Sequence, residues 1–171
     1  AGLLDAAPRR FAHRDSKAEN LHLVSEAAAT AKSPDTTEQI VMIDLQGGFM
    51  APPEYDLVCL LYDLQVELDE SFMADCFAKT RMNPPDRCDA DLAALRFDAL
   101  ATLRLCKDIA HLVYASRVRK DSRRWHEIPR GLTLLDQTTR RLRSVFPEIQ
   151  GLQSILPTLT LAFDSLKSPQ E

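Results

Sequence analysis

Long apolar runs are missing from this chain of 171 residues: no stretch approaches the roughly 18 consecutive apolar residues that a membrane span requires. The N-terminus also lacks a charged-then-apolar signal pattern, so the expected location is cytoplasmic. The first residue is Ala1 rather than Met, which implies processing or a longer parent chain. Cysteine is sparse: Cys59, Cys76, Cys88 and Cys106 stand far apart, which argues against both a zinc site and a disulfide scaffold and leaves free, mostly buried thiols. His13, His22, His111 and His126 are equally dispersed, so a histidine-rich metal site is not expected. Basic excess is absent too. A net charge of −4 gives no bulk reason to expect nucleic acid or an anionic membrane as partner.

What is present is the balance of a soluble globular protein, 45% hydrophobic with 27% charged residues, at the length of one domain covering residues 1–171. Two regions differ in character. Residues 9–46 read as short strands and turns: "RRFA" runs into the loop "HRDSKAEN", "LHLV" (21–24) is a strand, and "IVMID" (40–44) is β-branched and apolar. The polar stretch between them predicts an exposed connection, and hence a hairpin. Residues 51–171 read as helical. "YDLVCLLYDLQVEL" predicts one buried helix, and "DESFMADCFAKTRM" a second that stops at "NPPD". A long third helix carries Leu92, Leu95, Leu100, Leu103, Ile109, Leu112 and Val113 at helical spacing. A fourth starts at Pro129, and a fifth is expected to break at Pro157.

The chemistry concentrates in the loop at 13–20. His13, Arg14, Asp15 and Asn20 fit the H-R-D-x-x-x-x-N catalytic loop of kinases, with Lys17 two places after the aspartate. Four specified residues coincide by chance in a chain this long roughly once in a thousand sequences, at about one in twenty per residue type. A second element reinforces them: Asp44 ends the apolar strand across the hairpin, which can bring both ends to one place. Phosphoryl transfer needs a hydroxyl aligned with the γ-phosphate of ATP and several negative charges neutralised together. Asp15 would accept or align the hydroxyl proton. Asn20 and Asp44 would hold Mg²⁺ through hard oxygens. Lys17 is either a mobile charge for the transferring phosphate or an ordinary loop cation.

With "IDLQ" (43–46) and "PPEYDL" (52–57) following in order, the chain resembles the C-terminal lobe of the aminoglycoside phosphotransferase and choline kinase-like family. The resemblance implies an α+β, protein-kinase-like C-terminal lobe: a catalytic β-hairpin (1–50) followed by a mostly α-helical bundle (51–171). It implies ATP and Mg²⁺ as cofactors, a small-molecule, sugar-like hydroxyl as acceptor, and Asp56 as a buttress of the catalytic loop. The helical region from "LRFDALATLRLCKD" to "IPRGLTLL" resembles the bacterial subgroup that phosphorylates the anomeric hydroxyl of amino sugars such as N-acetylmuramate and N-acetylglucosamine. Ser16, Gly47, Gly48 and Ala51 depart from the family pattern, which bears on the acceptor more than on the reaction.

Some kinase parts are not found. There is no Gly-rich phosphate loop, no strand lysine paired with a helix glutamate, and no room before Asp15 for an N-terminal lobe. The expectation is a C-lobe fragment that is inactive alone and needs the missing lobe, with a non-catalytic kinase-like interaction module as the alternative. A basic cluster runs from Arg117 to Arg130 around Trp125 and His126. It is either a wall of the acceptor site, with Trp125 stacking on a sugar and Arg130 meeting an anion, or a solvated loop with an anchoring tryptophan.

Overall fold

Among the described residues, four short strands come first, β1 (Arg10–Ala12), β2 (Leu21–Ser25), β3 (Glu38–Met42) and β4 (Phe49–Ala51), preceded by a single helical turn α1 (Gly2–Asp5). The computed structural model describes residues 2–25, 38–82 and 89–165, so most of the expected hairpin connection, the "NPPD" stop and Cys88 lie outside the described residues. The strands form two antiparallel pairs, one nested in the other. β1 pairs with β4, Phe11 opposite Met50, and β2 pairs with β3, Leu21 opposite Met42 and Leu23 opposite Ile40.

Five longer helices follow: α2 (Tyr55–Leu61), α3 (Glu70–Met82), α4 (Ala90–Arg117), α5 (Ile128–Leu142) and α6 (Gln150–Ser165). Local chemistry sets their ends. The Asp69 carboxylate accepts from the Ser71 and Phe72 N–H groups at the start of α3, and Asp89 accepts from Asp91 N–H at the start of α4. Pro129 occupies the first turn of α5, where its missing N–H costs nothing. The helix expected over 55–68 is shorter than its apolar pattern suggests. It stops at Leu61 because the Asp63 carboxylate accepts the Gln65 N–H and closes a turn there.

α4 is the spine, and α5 packs along it. Phe97, Leu100, Ala101, Leu105, Ile109 and Leu112 of α4 are buried against Ile128, Leu132 and Leu135 of α5 and Val58 and Leu61 of α2. Gly131 permits the close approach: a Cβ there would lie 2.9 Å from Ile109 Cγ1. Thr102 and Thr138 satisfy each other across the buried seam at 2.9 Å. Leu92 and Leu103, expected on the core stripe, are exposed, because the buried positions follow 93, 97, 101, 105, 109 and 112 and leave both on the outer face. α6 does not break at Pro157. The proline is exposed, while Leu156 is buried beside partly buried Leu152 and Phe163. Burying a leucine is worth about 1.5–3 kcal/mol, the scale of the ~3 kcal/mol that an internal proline costs.

Among the described residues, no helix is long and apolar enough to cross a membrane.

Candidate active site

The loop between β1 and β2 is tied down at both ends by carboxylates from the α2 region. Asp56, in the first turn of α2, accepts the His13 N–H at 2.7 Å and the Arg14 N–H at 3.1 Å. Asp63, just beyond the helix, is buried; one oxygen accepts the Ala18 N–H at 3.2 Å and the other accepts the Gln65 N–H at 3.1 Å. Between these anchors the chain takes a costly conformation, with Arg14 at φ 76°. Cys59 supports the same turn by donating to the Arg14 carbonyl at 3.4 Å.

The loop is also stitched to itself and to the segment after β3. Asn20 Nδ2 donates to the Asp15 carbonyl at 2.8 Å, and the Asn20 carbonyl accepts the Ile43 N–H at 3.0 Å. The buried His13 ring bonds the Ile43 carbonyl through Nε2 at 2.7 Å. Since a carbonyl only accepts, Nε2 carries the proton, and the buried Nδ1 has no partner among the described residues. Asp44 comes next in the chain, at φ 67° and with Gln46 donating to its carboxylate. Arg14, Asp15, Asp44 and Gln46, with Tyr55 and Lys107, line one cleft of about 300 Å³.

Asp15 also lines a second cavity, of about 200 Å³, between the loop and α4. Arg104, Lys107, Asp108 and His111 line it from α4, Lys17 from the 13–20 loop and Arg124 from the turn before α5. Asp15 and Lys107 are the two residues common to both cavities. Arg104 is fixed: Nε donates to Asp108 at 2.6 Å, Nη1 to Cys59 Sγ at 3.0 Å, and Nη2 lies 3.9 Å from Asp15. Burial alone would lower the Arg104 pKa, but the Cys59 and Asp108 groups outweigh it and the net shift is upward. Lys17 bridges Asp15, at 3.5 Å, and Glu19. Burial pulls the Lys17 ammonium down, yet the Glu19 hydrogen bond and the Asp15 charge leave it raised and firmly protonated.

Trp125, His126 and Arg130 line neither of the cavities that hold Asp15. The Trp125 ring packs on Phe163 at 5.2 Å between centroids, under the Arg117 guanidinium at 4.9 Å. Arg130 donates to the Leu64 and Val66 carbonyls, tying α5 to the turn after α2, and His126 is exposed. The α4 wall was missed from sequence, although its signal was there: Arg104, Lys107, Asp108 and His111 recur at i, i+3, i+4 and i+7, a polar stripe through an apolar helix. Asp63 left no comparable trace.

Asp44 lines the cleft with Asp15, whereas Asn20 is buried and lines neither cavity, though its segment adjoins that of Asp44 through the Ile43 N–H. Among the described residues no group of three or more His, Cys, Asp or Glu side chains is placed to hold a metal ion. Two oxygen ligands suit Mg²⁺, which keeps several waters and shares phosphate oxygens, better than an ion needing a full protein cage. Neither a family model, nor a curated protein, nor a solved structure matches the chain.

Proposed function

We propose that this chain is the metal- and acceptor-binding half of an ATP-dependent phosphotransferase acting on a small-molecule hydroxyl, of the amino-sugar or aminoglycoside type. One observation carries the reading. The carboxylate of Asp56 holds the backbone of His13 and Arg14 while Asn20 and the His13 ring bind the same loop to itself and to Ile43, so Asp15 and Asp44 share a cleft wall. Such a loop pre-orients a carboxylate toward an incoming hydroxyl without reorganisation during the reaction. Asp15 accepts or aligns the hydroxyl proton, with Lys17 at 3.5 Å and Arg104 at 3.9 Å on either oxygen of its carboxylate. Asn20 and Asp44 are the residues that would hold Mg²⁺; when bound, the ion neutralises charge on the nucleotide phosphates.

In this reading the nucleotide clamp is supplied by an N-terminal lobe outside this sequence. The paired strands offer a surface for it: Phe11 is 63% exposed, Leu23 63% and Ile40 73%, with Met42, Ile43 and Met50 exposed beside them. The same apolar face is what favours a second reading, an interaction module without catalysis.

The test begins with the intact mass of the native product. Residues 1–171 alone, given MgATP and a panel of sugars, should transfer little or no phosphate. A parent polypeptide bearing an upstream lobe should phosphorylate a sugar, with Asp15→Asn lowering kcat by about 10²–10⁴-fold. Robust transfer by residues 1–171 alone would refute the need for the lobe. A parent whose activity is indifferent to Asp15→Asn and Asp44→Ala would refute the catalytic assignment and leave the interaction module.

A further inference from the structure

Hydrogen-bonding capacity in the cavity between α4 and the 13–20 loop is lopsided. Every oxygen of its Asp63 and Asp108 carboxylates already has a donor. Both Asp63 oxygens accept backbone N–H groups, and the two Asp108 oxygens meet Arg104 at 2.6 Å and Lys107 at 3.2 Å. Asp15 faces Lys17 and Arg104 and is the group that meets the hydroxyl in the phosphotransferase reading.

Its donors are not spent. The Lys107 side chain is 65% exposed, and of its three N–H bonds one points to Asp108. His111 is exposed and makes no hydrogen bond or ion pair among the described residues. Arg124 commits Nε and Nη2 to Glu127 at 2.7 Å each, and its Nη1 donates to the Gln65 amide oxygen at 3.2 Å with the second Nη1 hydrogen left over. Lys107 and His111 are one helical turn apart on α4, and Arg124 lines the same cavity. The neighbouring recess of about 360 Å³ continues past His111 and Arg124 to Arg123, whose charge is matched by Asp121.

We propose that this cavity binds an acceptor carrying an anionic group, held by Lys107, His111 and Arg124, while its hydroxyl meets Asp15. The proposal rests on the phosphotransferase reading and narrows it: a carboxylate supplies acceptors to Lys107, His111 and Arg124, whereas an ammonium would meet carboxylates that already have donors and the fixed charges of Lys107 and Arg124. Polycationic antibiotics and choline-like acceptors are thereby disfavoured.

The experiment is an NMR titration of the ¹⁵N-labelled 171-residue chain at low salt with glucuronate, glucose and glucosamine in turn. Glucuronate should shift the amides of His111 and Arg124 with a Kd about tenfold below that of glucose, the scale of one charge-assisted hydrogen bond. Added salt should weaken it. Lys107→Glu, at an exposed position, should abolish the glucuronate preference and leave the thermal unfolding midpoint in place. Equal affinities, a preference for glucosamine, or no binding by any of the three overturns the proposal. A parallel Mg²⁺ titration, followed at the Asn20 side-chain amide and the Asp44 backbone amide, tests the underlying reading separately. Glucuronate selectivity with no Mg²⁺ response would sink the kinase reading and keep the anion cavity; a Mg²⁺ response with glucosamine preference would do the reverse.

Discussion

Replacing Asp56 with asparagine removes one charge and almost no volume, which makes it the sharpest probe of how the 13–20 loop is held. The carboxylate accepts from His13 N–H in a partly buried setting and from Arg14 N–H at the surface. A hydrogen bond to a charged acceptor contributes about 1.5–3 kcal/mol when partly buried, and an exposed one about 1 kcal/mol or less. The asparagine oxygen can replace one of the two bonds, but its NH₂ group then points at a second donor. The expected loss is about 2–4 kcal/mol, a large share of the ~5–15 kcal/mol that stabilises a typical domain. Because Arg14 already sits at positive φ, the loop should relax first. Urea unfolding should show the lower midpoint, and amide hydrogen exchange should show faster exchange at His13, Arg14 and Asn20 than in the α4–α5 core. A loss below about 0.5 kcal/mol with loop protection unchanged would refute this account of the anchor.

Four further outcomes are expected. Arg96 is 1% exposed and lies 2.5 Å from buried Glu54, so Arg96→Ala should cost about 3–5 kcal/mol by stranding the carboxylate, while Glu54→Leu with Arg96→Met should cost far less; a double-mutant cycle by urea unfolding measures the difference. Burial, partly offset by Arg104, pushes the Cys59 thiol up to about 11, so at neutral pH it should react with iodoacetamide far more slowly than an unfolded cysteine. The folded state holds that proton more tightly than the unfolded one, so the stability from this group is complete below about pH 9 and is lost as pH rises toward about 11, a decline that Cys59→Ala should remove. Gly131→Ala should cost about 1–3 kcal/mol through contact with Ile109 and Leu64, read from the thermal midpoint.

Periodicity and punctuation are local properties, and the elements that depend on them were legible in the sequence alone. α3, α4 and α5, the β2–β3 pairing and the grouping of His13, Asp15 and Asn20 in one loop all follow from spacing, capping carboxylates and proline positions. Tertiary structure decided the rest. Burial of Leu156 carried α6 through Pro157, and the bonds that Asp63 accepts from Ala18 and Gln65 ended α2 early. Which side chains line the cavity beside Asp15 was also beyond local reading: Trp125 and Arg130 turned to Phe163 and to the carbonyls of residues 64 and 66, while Arg104, Lys107 and His111 line it. A residue's chemistry is written in its side chain, but its partners are set by which helix faces the core claims, and that choice depends on apolar area summed over the whole chain.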